Sequence, residues 1–572
     1  MVFSSAIFIF FFLPIFLFLN TFIKKQFQIA LLIISSLLFY IWGEGYGVIL
    51  LLALCLFNYL IGRLIRRSLN QTSCSQALEF EKSALQTCNL TPLRPSSSPN
   101  LENTTIIDGK ITPSLTNSLP QEVSKHALSA GNCVDGNPLE HQKRTFGKTS
   151  KSVLSKTVLS PYSFFINKKI WLGLDAQAWL FLGIIINLGA LFYYKYFSWV
   201  LSELEKILPF SLYDKFNFFD ITPTVALPLG ISFFCFHGIS YLVDAYKGAI
   251  GRHSASDFFA YFLMFPHLVA GPIVRFESIR NNLQSKNNVS LNSFSQGLLR
   301  FIIGVNKKVL IANSVAPLAD IAFFSSSASI SWQDAWLGAL AYTIQIYFDF
   351  SGYSDMAIGL ASMLGIKFDE NFLSPYKSLS IKDFWRRWHI SLSSWLRDYL
   401  YIPLGGSRSS TVVTYRNLLI VFICCGFWHG AQFTFLLWGL YHGLLLILER
   451  TPLGKALESL PNFIRRFYCL ALVIIGWVFF RALNLDHAMN YLYSMFNFLN
   501  PVQNSIHLGL LNVSALILGF IVALWGRDFP SLMKIRSFKL KIGLVSLNLI
   551  LFVLSLSILY TDNRNPFIYF NF

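Results

Sequence analysis

Apolar residues fill long runs at 3–23, 27–42, 46–61 and 176–196, and recur at 434–448, 467–480, 508–525 and 542–560. A helix needs about 20 such residues to cross a hydrocarbon core, where every backbone polar group must be bonded within the protein. The pattern therefore predicts an all-α, polytopic transmembrane protein with roughly ten to twelve spans. Two further segments, PLGISFFCFHGISYLVDAYKG at 228–248 and FPHLVAGPIVRF at 265–276, set Pro, Gly and His inside apolar sequence. Such punctuation suits broken or re-entrant helices around a central cavity better than plain lipid-facing spans.

Between Arg63 and Lys169 the pattern changes to Ser, Thr, Asn, Gln and Pro, as in RPSSSPNLENTT. This divides the chain into N-terminal spans at 1–62, a polar and disordered cytosolic insert at 63–170, and a membrane core at 171–572. A tolerated loop expansion explains such an insert, and a docking segment for a cytosolic partner is the sharper alternative. The insert carries 14 Lys and Arg against 7 Asp and Glu, a large share of the formal net charge of +17. With Lys24-Lys25 after the first run and Arg63, Arg66 and Arg67 after the third, the charge follows positive-inside topology, with the N-terminus outside and no cleaved signal. A composition of 54% hydrophobic residues and only 13% charged ones rules out a soluble chain. The basic excess thus points to anionic lipid, not to nucleic acid. The eight cysteines have no ligand spacing, and no metal site is expected.

The chemistry concentrates between Phe348 and Gly430. In FDFSGYSDMAIGLASMLG, the small residues allow close helix approach, while Asp349 and Asp355 need partners. Holding a bent helix is the bland reading of those acids. In DFWRRWHISLSSWLRDY, a helix would bring Trp385, Trp388 and His389 to one face. Arg386, Arg387 and Arg397 would then stay wet while tryptophans anchor at the membrane surface; alternatively, the guanidinium groups attract the phosphates of a donor. His429, in VFICCGFWHGAQFTF, sits in sequence that solvates a ring nitrogen poorly, so it is read as facing a protein-lined or wet cavity. Gly430 beside it would leave room for a substrate to approach the ring. His237 and His267 are candidate ligands or relays, although a histidine bonded to nearby backbone explains each as well.

The order PLGISFF, FPHLVAGPIVR, FDFSGYSDMAIG, FWRRWHISLS, YIPLGG, FWHG, GWVFFRA and NPFIYF resembles the membrane-bound O-acyltransferase family. Within it, the similarity is greatest to the branch of the alginate O-acetyltransferase membrane subunit. The insert, and the histidines at 237 and 267, depart from the family's pattern. The resemblance implies an enzyme of the bacterial cytoplasmic (inner) membrane with no permanently bound cofactor. Acetyl-CoA or another acyl thioester would be the cytosolic donor. The acceptor would be an extracytoplasmic polysaccharide, reached with a periplasmic acetyltransferase partner protein. His429 would be the general base and His389 the second polar group of its site. D-alanyl transfer from a carrier protein to teichoic acid is the nearest alternative within the class. A proton-coupled exporter relaying through Asp349, Asp355 and the histidines is the alternative outside it.

Overall fold

A computed structural model describes residues 3–88, 175–207, 227–284, 289–324, 330–499 and 509–561. Most of the predicted insert therefore lies outside the described residues. The described chain is helical, without a strand. Near the N-terminus run α1 (Leu13–Phe22), α2 (Gln28–Glu44) and α3 (Gly47–Cys88). The last of these continues as helix beyond Arg63, where the composition had suggested that order ends. The chain falls into one unit of Met1–Thr72 with Lys168–Phe572 and another of Ser73–Asn167.

Seven described helices are long and apolar enough to cross a membrane, or eight if Phe433–Leu448 and Pro452–Glu458, bent by 77°, form one span. That is fewer than the ten to twelve the apolar runs suggested. Two of the apolar runs, 3–23 and 508–525, form described helices that are shorter than a full span, Phe8–Phe22 and Leu510–Trp525. The long helix α9 (Trp332–Met363), preceded by α4 (Ala176–Leu191), α5 (Ile231–Tyr246), α6 (Ala255–Leu263), α7 (Leu291–Asn306) and α8 (Ser314–Phe324), is buried almost throughout. Gln345, Asp349, Ser351, Ser354 and Asp355 make it too polar for lipid. It is a helix solvated by other helices. The 265–276 segment likewise forms only a four-residue helix, Phe265–Leu268, followed by irregular chain.

Small residues set the packing of α7 on α9. A Cβ on Gly304 would come 2.6 Å from the Gly352 carbonyl oxygen, and one on Gly297 equally close to that of Gly359. Such an approach is open only to glycine and leaves the backbones in contact. Between these crossings the charges meet. Arg300 bonds Asp355 at 2.9 Å and also Glu370; Lys307 bonds Asp355 at 2.7 Å; Lys308 pairs with Asp349. Both acids thus have the partners their setting demands.

Towards the C-terminus follow, among others, α10 (Ile381–Arg387), α11 (Ile390–Leu396), α12 (Thr411–His429), α13 (Phe433–Leu448), α14 (Asn462–Arg481), α15 (Leu485–Phe496), α16 (Leu510–Trp525) and α17 (Phe538–Thr561). On α17 Ser555 is buried, bonding Asn306 of α7 at 2.9 Å, while Ile542, Leu547, Ile550 and Val553 are exposed apolar side chains suited to lipid.

Candidate active site

Helix α12 starts from a Ser410 cap and ends at His429. Its last turn is pressed against α13, since a Cβ on Gly426 would lie 2.2 Å from the Phe435 carbonyl oxygen and 3.1 Å from the Gly439 nitrogen. The chain then turns at Gly430, where a Cβ would fall 2.2 Å from the Phe435 ring. The space beside Gly430 is therefore packed with an aromatic ring, not open to a substrate, which corrects the expectation from sequence. His429 itself is buried, 4% exposed, with Trp428, Trp438 and Phe480 edge-on at 4.8, 5.1 and 4.9 Å between ring centres.

His389 does not share a helical face with Trp385 and Trp388. Helix α10 stops at Arg387, Trp388 turns to extended backbone, and His389 adopts φ 43° and ψ 54°, the left-handed region, before α11 begins. The break follows from the partners of this segment. Two backbone N–H groups at the start of α10, Ile381 and Lys382, donate to the Glu449 carboxylate, while Ile390 N–H donates to the Asn371 carbonyl. The two short helices are thus tied to different partners on either side of His389. The tryptophans are not surface anchors either: Trp385, Trp388 and Trp395 are 8, 2 and 7% exposed. Trp395 stacks on Phe236 at 4.1 Å, and Phe236 on Trp428 at 5.3 Å, so an aromatic column leads to the end of α12.

The two site histidines meet around Trp428. Its ring lies 6.2 Å from His389 and 4.8 Å from His429, between ring centres. His389 is oriented by Asn371, whose amide oxygen lies 3.1 Å from Nδ1 and also accepts from the Ser391 N–H and hydroxyl, at 3.2 and 2.9 Å. The Asn371 amide nitrogen donates to Ser354 of α9 at 3.0 Å. An acceptor facing Nδ1 assigns the proton there and leaves Nε2 as the basic nitrogen of the neutral ring.

The arginines are dispersed. Arg386 and Arg387 close α10, with Arg387 bonding Asp383 at 3.0 Å and the Leu373 carbonyl at 3.3 Å. Arg397 opens a π-helical turn, Arg397–Tyr401, and bonds Asp398. No hydrogen bond or ion pair joins the two sets among the described residues. Asp398 also receives Arg275. Burial works against its carboxylate, but the bonds from Arg397 and Arg275 outweigh it and hold Asp398 below the usual carboxylate range. It therefore keeps its charge to lower pH than a free aspartate.

His237 and His267 lie away from this centre, stacked on each other at 4.4 Å, and His267 Nε2 lies 2.6 Å from the Tyr261 carbonyl oxygen. Backbone bonding is thus what occupies His267. No group of three metal-binding side chains exists among the described residues. Three site residues escaped the sequence reading. Asn371 sits in a loop, where an asparagine carries no signal. His442, fully buried, takes the Trp385 indole N–H at 3.4 Å and packs 5.0 Å from Trp438. Lys195, in the run LFYYKYF, could have been found, because an ammonium inside an apolar span is costly.

The candidate membrane-spanning helices make this a multi-pass membrane protein, with a buried imidazole pair at a helix end. The chain belongs to the membrane-bound O-acyltransferase family, whose model matches residues 189–485. It is 45% identical to the probable alginate O-acetylase AlgI of Azotobacter vinelandii over 353 residues, 61% of this chain and 69% of that one. It is 41% identical to the peptidoglycan O-acetyltransferase of Helicobacter pylori over 349 residues, 56% and 64% of the two chains. Similarity to the teichoic acid D-alanyltransferase of Streptococcus thermophilus is lower, 28% over 276 residues, 45% and 66%.

Proposed function

We propose that the protein moves an acetyl group from a cytosolic acyl thioester, such as acetyl-CoA, to hydroxyls of an extracytoplasmic polysaccharide, with His429 as general base. The observation that carries this reading is the convergence of His389 and His429 on Trp428. A neutral imidazole takes the proton of the attacking hydroxyl, and returns it to the departing thiolate. His389, held by Asn371, shares or orients that proton. The two more similar relatives bear names of polymer O-acetylases, which supports a polysaccharide over teichoic acid D-alanylation. The exporter reading loses support because Asp349 and Asp355 are engaged by Lys308, Lys307 and Arg300.

Arg386, Arg387 and Arg397 are proposed to hold donor phosphates at the cytosolic face, as well as anionic lipid. A periplasmic acetyltransferase would complete delivery, placing the protein in a bacterial inner membrane. The test is His429→Gln compared with wild type at matched membrane abundance. General-base assistance is worth on the order of a hundredfold to ten-thousandfold, so polymer acetylation should all but vanish. Near-normal acetylation by this variant would return His429 to a packing role. Replacing Arg387 with Gln should raise the donor KM while leaving acceptor use unchanged; an unaltered donor KM would remove Arg387 from the donor site.

A further inference from the structure

Lys195 lies within the span Ala176–Lys206, in a π-helical turn, Phe192–Tyr196, that interrupts the helix after α4. Turns of this kind recur at functional sites. An ammonium at membrane depth is normally offset by a carboxylate, yet among the described residues no acid lies within ion-pair distance of Lys195. Its Nζ instead donates to the Trp428 carbonyl at 2.6 Å, with the Ser232 hydroxyl at 3.5 Å. Trp428 immediately precedes His429 in the chain.

A cation at the C-terminal end of α12 complements the helix dipole, but capping does not require one here. The preceding carbonyl, that of Phe427, is satisfied by the neutral Tyr196 hydroxyl at 2.9 Å. An ammonium carries three N–H groups, and two are accounted for by Trp428 and Ser232. Nζ also stands 5.8 Å from the centroid of the Trp428 ring, a cation–π contact, but the third N–H has no hydrogen-bond acceptor among the described residues.

We propose that Lys195 is a catalytic residue that stabilises the oxyanion of acyl transfer, opposite the base. The acceptor hydroxyl oxygen bonds to the thioester carbonyl carbon and its proton passes to His429. The carbonyl oxygen takes the electron pair and is held by the third N–H of Lys195. When the carbonyl re-forms, the C–S bond breaks and the thiolate leaves with the proton from His429. The group has an aromatic face but no anion beside it in the resting protein, and gains an anionic partner only as the transition state develops, which is the condition for lowering a barrier.

This rests on the acyl-transfer reading above, so the test separates the two. Thiol release would be followed with the full chain in proteoliposomes, per mole of folded protein, for wild type, Lys195→Gln, Lys195→Met and His429→Gln, with acetyl and fluoroacetyl thioesters. Loss of an oxyanion donor lowers kcat by roughly a hundredfold to a thousandfold, so both Lys195 variants should fall by that order with donor KM little changed. The deficit should shrink with the fluoroacetyl donor, whose withdrawing substituent stabilises the oxyanion by itself. A residue that merely caps α12 would cost both donors alike. Equal deficits, or a kcat within threefold of wild type, would overturn the proposal. The donor ratio can be read from either neutral variant, whichever accumulates. Normal turnover by His429→Gln would sink the base assignment alone, leaving the Lys195 donor ratio to be judged separately.

Discussion

Three donors converge on the amide oxygen of Asn371, and one of them is the imidazole of His389. Asn371→Leu would leave the Ser391 N–H without its acceptor, at a cost of about 1–3 kcal/mol for a buried donor, and would release the ring. Turnover per folded molecule should drop at least tenfold, with a lower thermal midpoint, whereas Ser391→Ala should do much less. Equal turnover by Asn371→Leu and wild type would show that His389 needs no such support. Both histidines were legible in the sequence because an imidazole amid tryptophan and aliphatic residues is hard to satisfy. Asn371 was not, since its role is a contact 18 residues away from His389 in the chain. Gly430 was visible yet misread: whether space beside a glycine is empty depends on the next helix, and here Phe435 fills it.

At the level of elements, the α7–α9 pair combines backbone contact with buried ion pairs. Gly352→Val would drive its side chain into the Gly304 carbonyl, which a Cβ at 352 already approaches to 2.8 Å. The pair should separate, and the protein should accumulate poorly and melt several degrees lower. Asp355→Asn removes the charge facing Arg300 and Lys307. Breaking a buried pair from one side costs roughly 3–5 kcal/mol, so a pronounced loss of thermal stability in detergent is expected. An Asp355→Asn protein as stable as wild type would mean that Glu370 and solvent suffice for both cations. Helix proximity could be read from the glycines of the central stretch, and so could the acids' need for partners. The identity of the partners could not, because Arg300 and Lys307 stand about 50 residues upstream in an otherwise apolar span. The break at His389 was equally hidden, as nothing in DFWRRWHISLSSW stops a helix; the anchors on Glu449 and Asn371 do.

For the whole molecule, the first two basic clusters predict an outside N-terminus and a cytosolic insert. A reporter fused near Ser98 should be active only in a cytosolic format, and activity in a periplasmic format would invert the topology. Replacing 95–160 by a short Gly/Ser bridge, which leaves α3 untouched, should keep acetylation largely intact if that region is a polar expansion. Lost activity at normal abundance would favour docking of a cytosolic partner. Apolar runs were a sound guide to the membrane class, but a run does not fix where a helix starts and stops: among the described residues those at 3–23 and 508–525 form helices shorter than a full span.

The left-handed backbone at His389 bears on how the site can be dissected at all. Most side chains resist that conformation, at roughly 1–2 kcal/mol, whereas asparagine and glycine accept it. His389→Ala therefore mixes two losses, an imidazole and a comfortable backbone, and a β-branched replacement such as His389→Thr should fail as a protein before it fails as an enzyme. His389→Asn keeps the backbone at ease and a polar group facing Asn371. It should accumulate like wild type, so whatever turnover it lacks measures the imidazole alone. A library at this position sorted only for folded protein would be steered by geometry, not chemistry, and would enrich sequences that say nothing about catalysis.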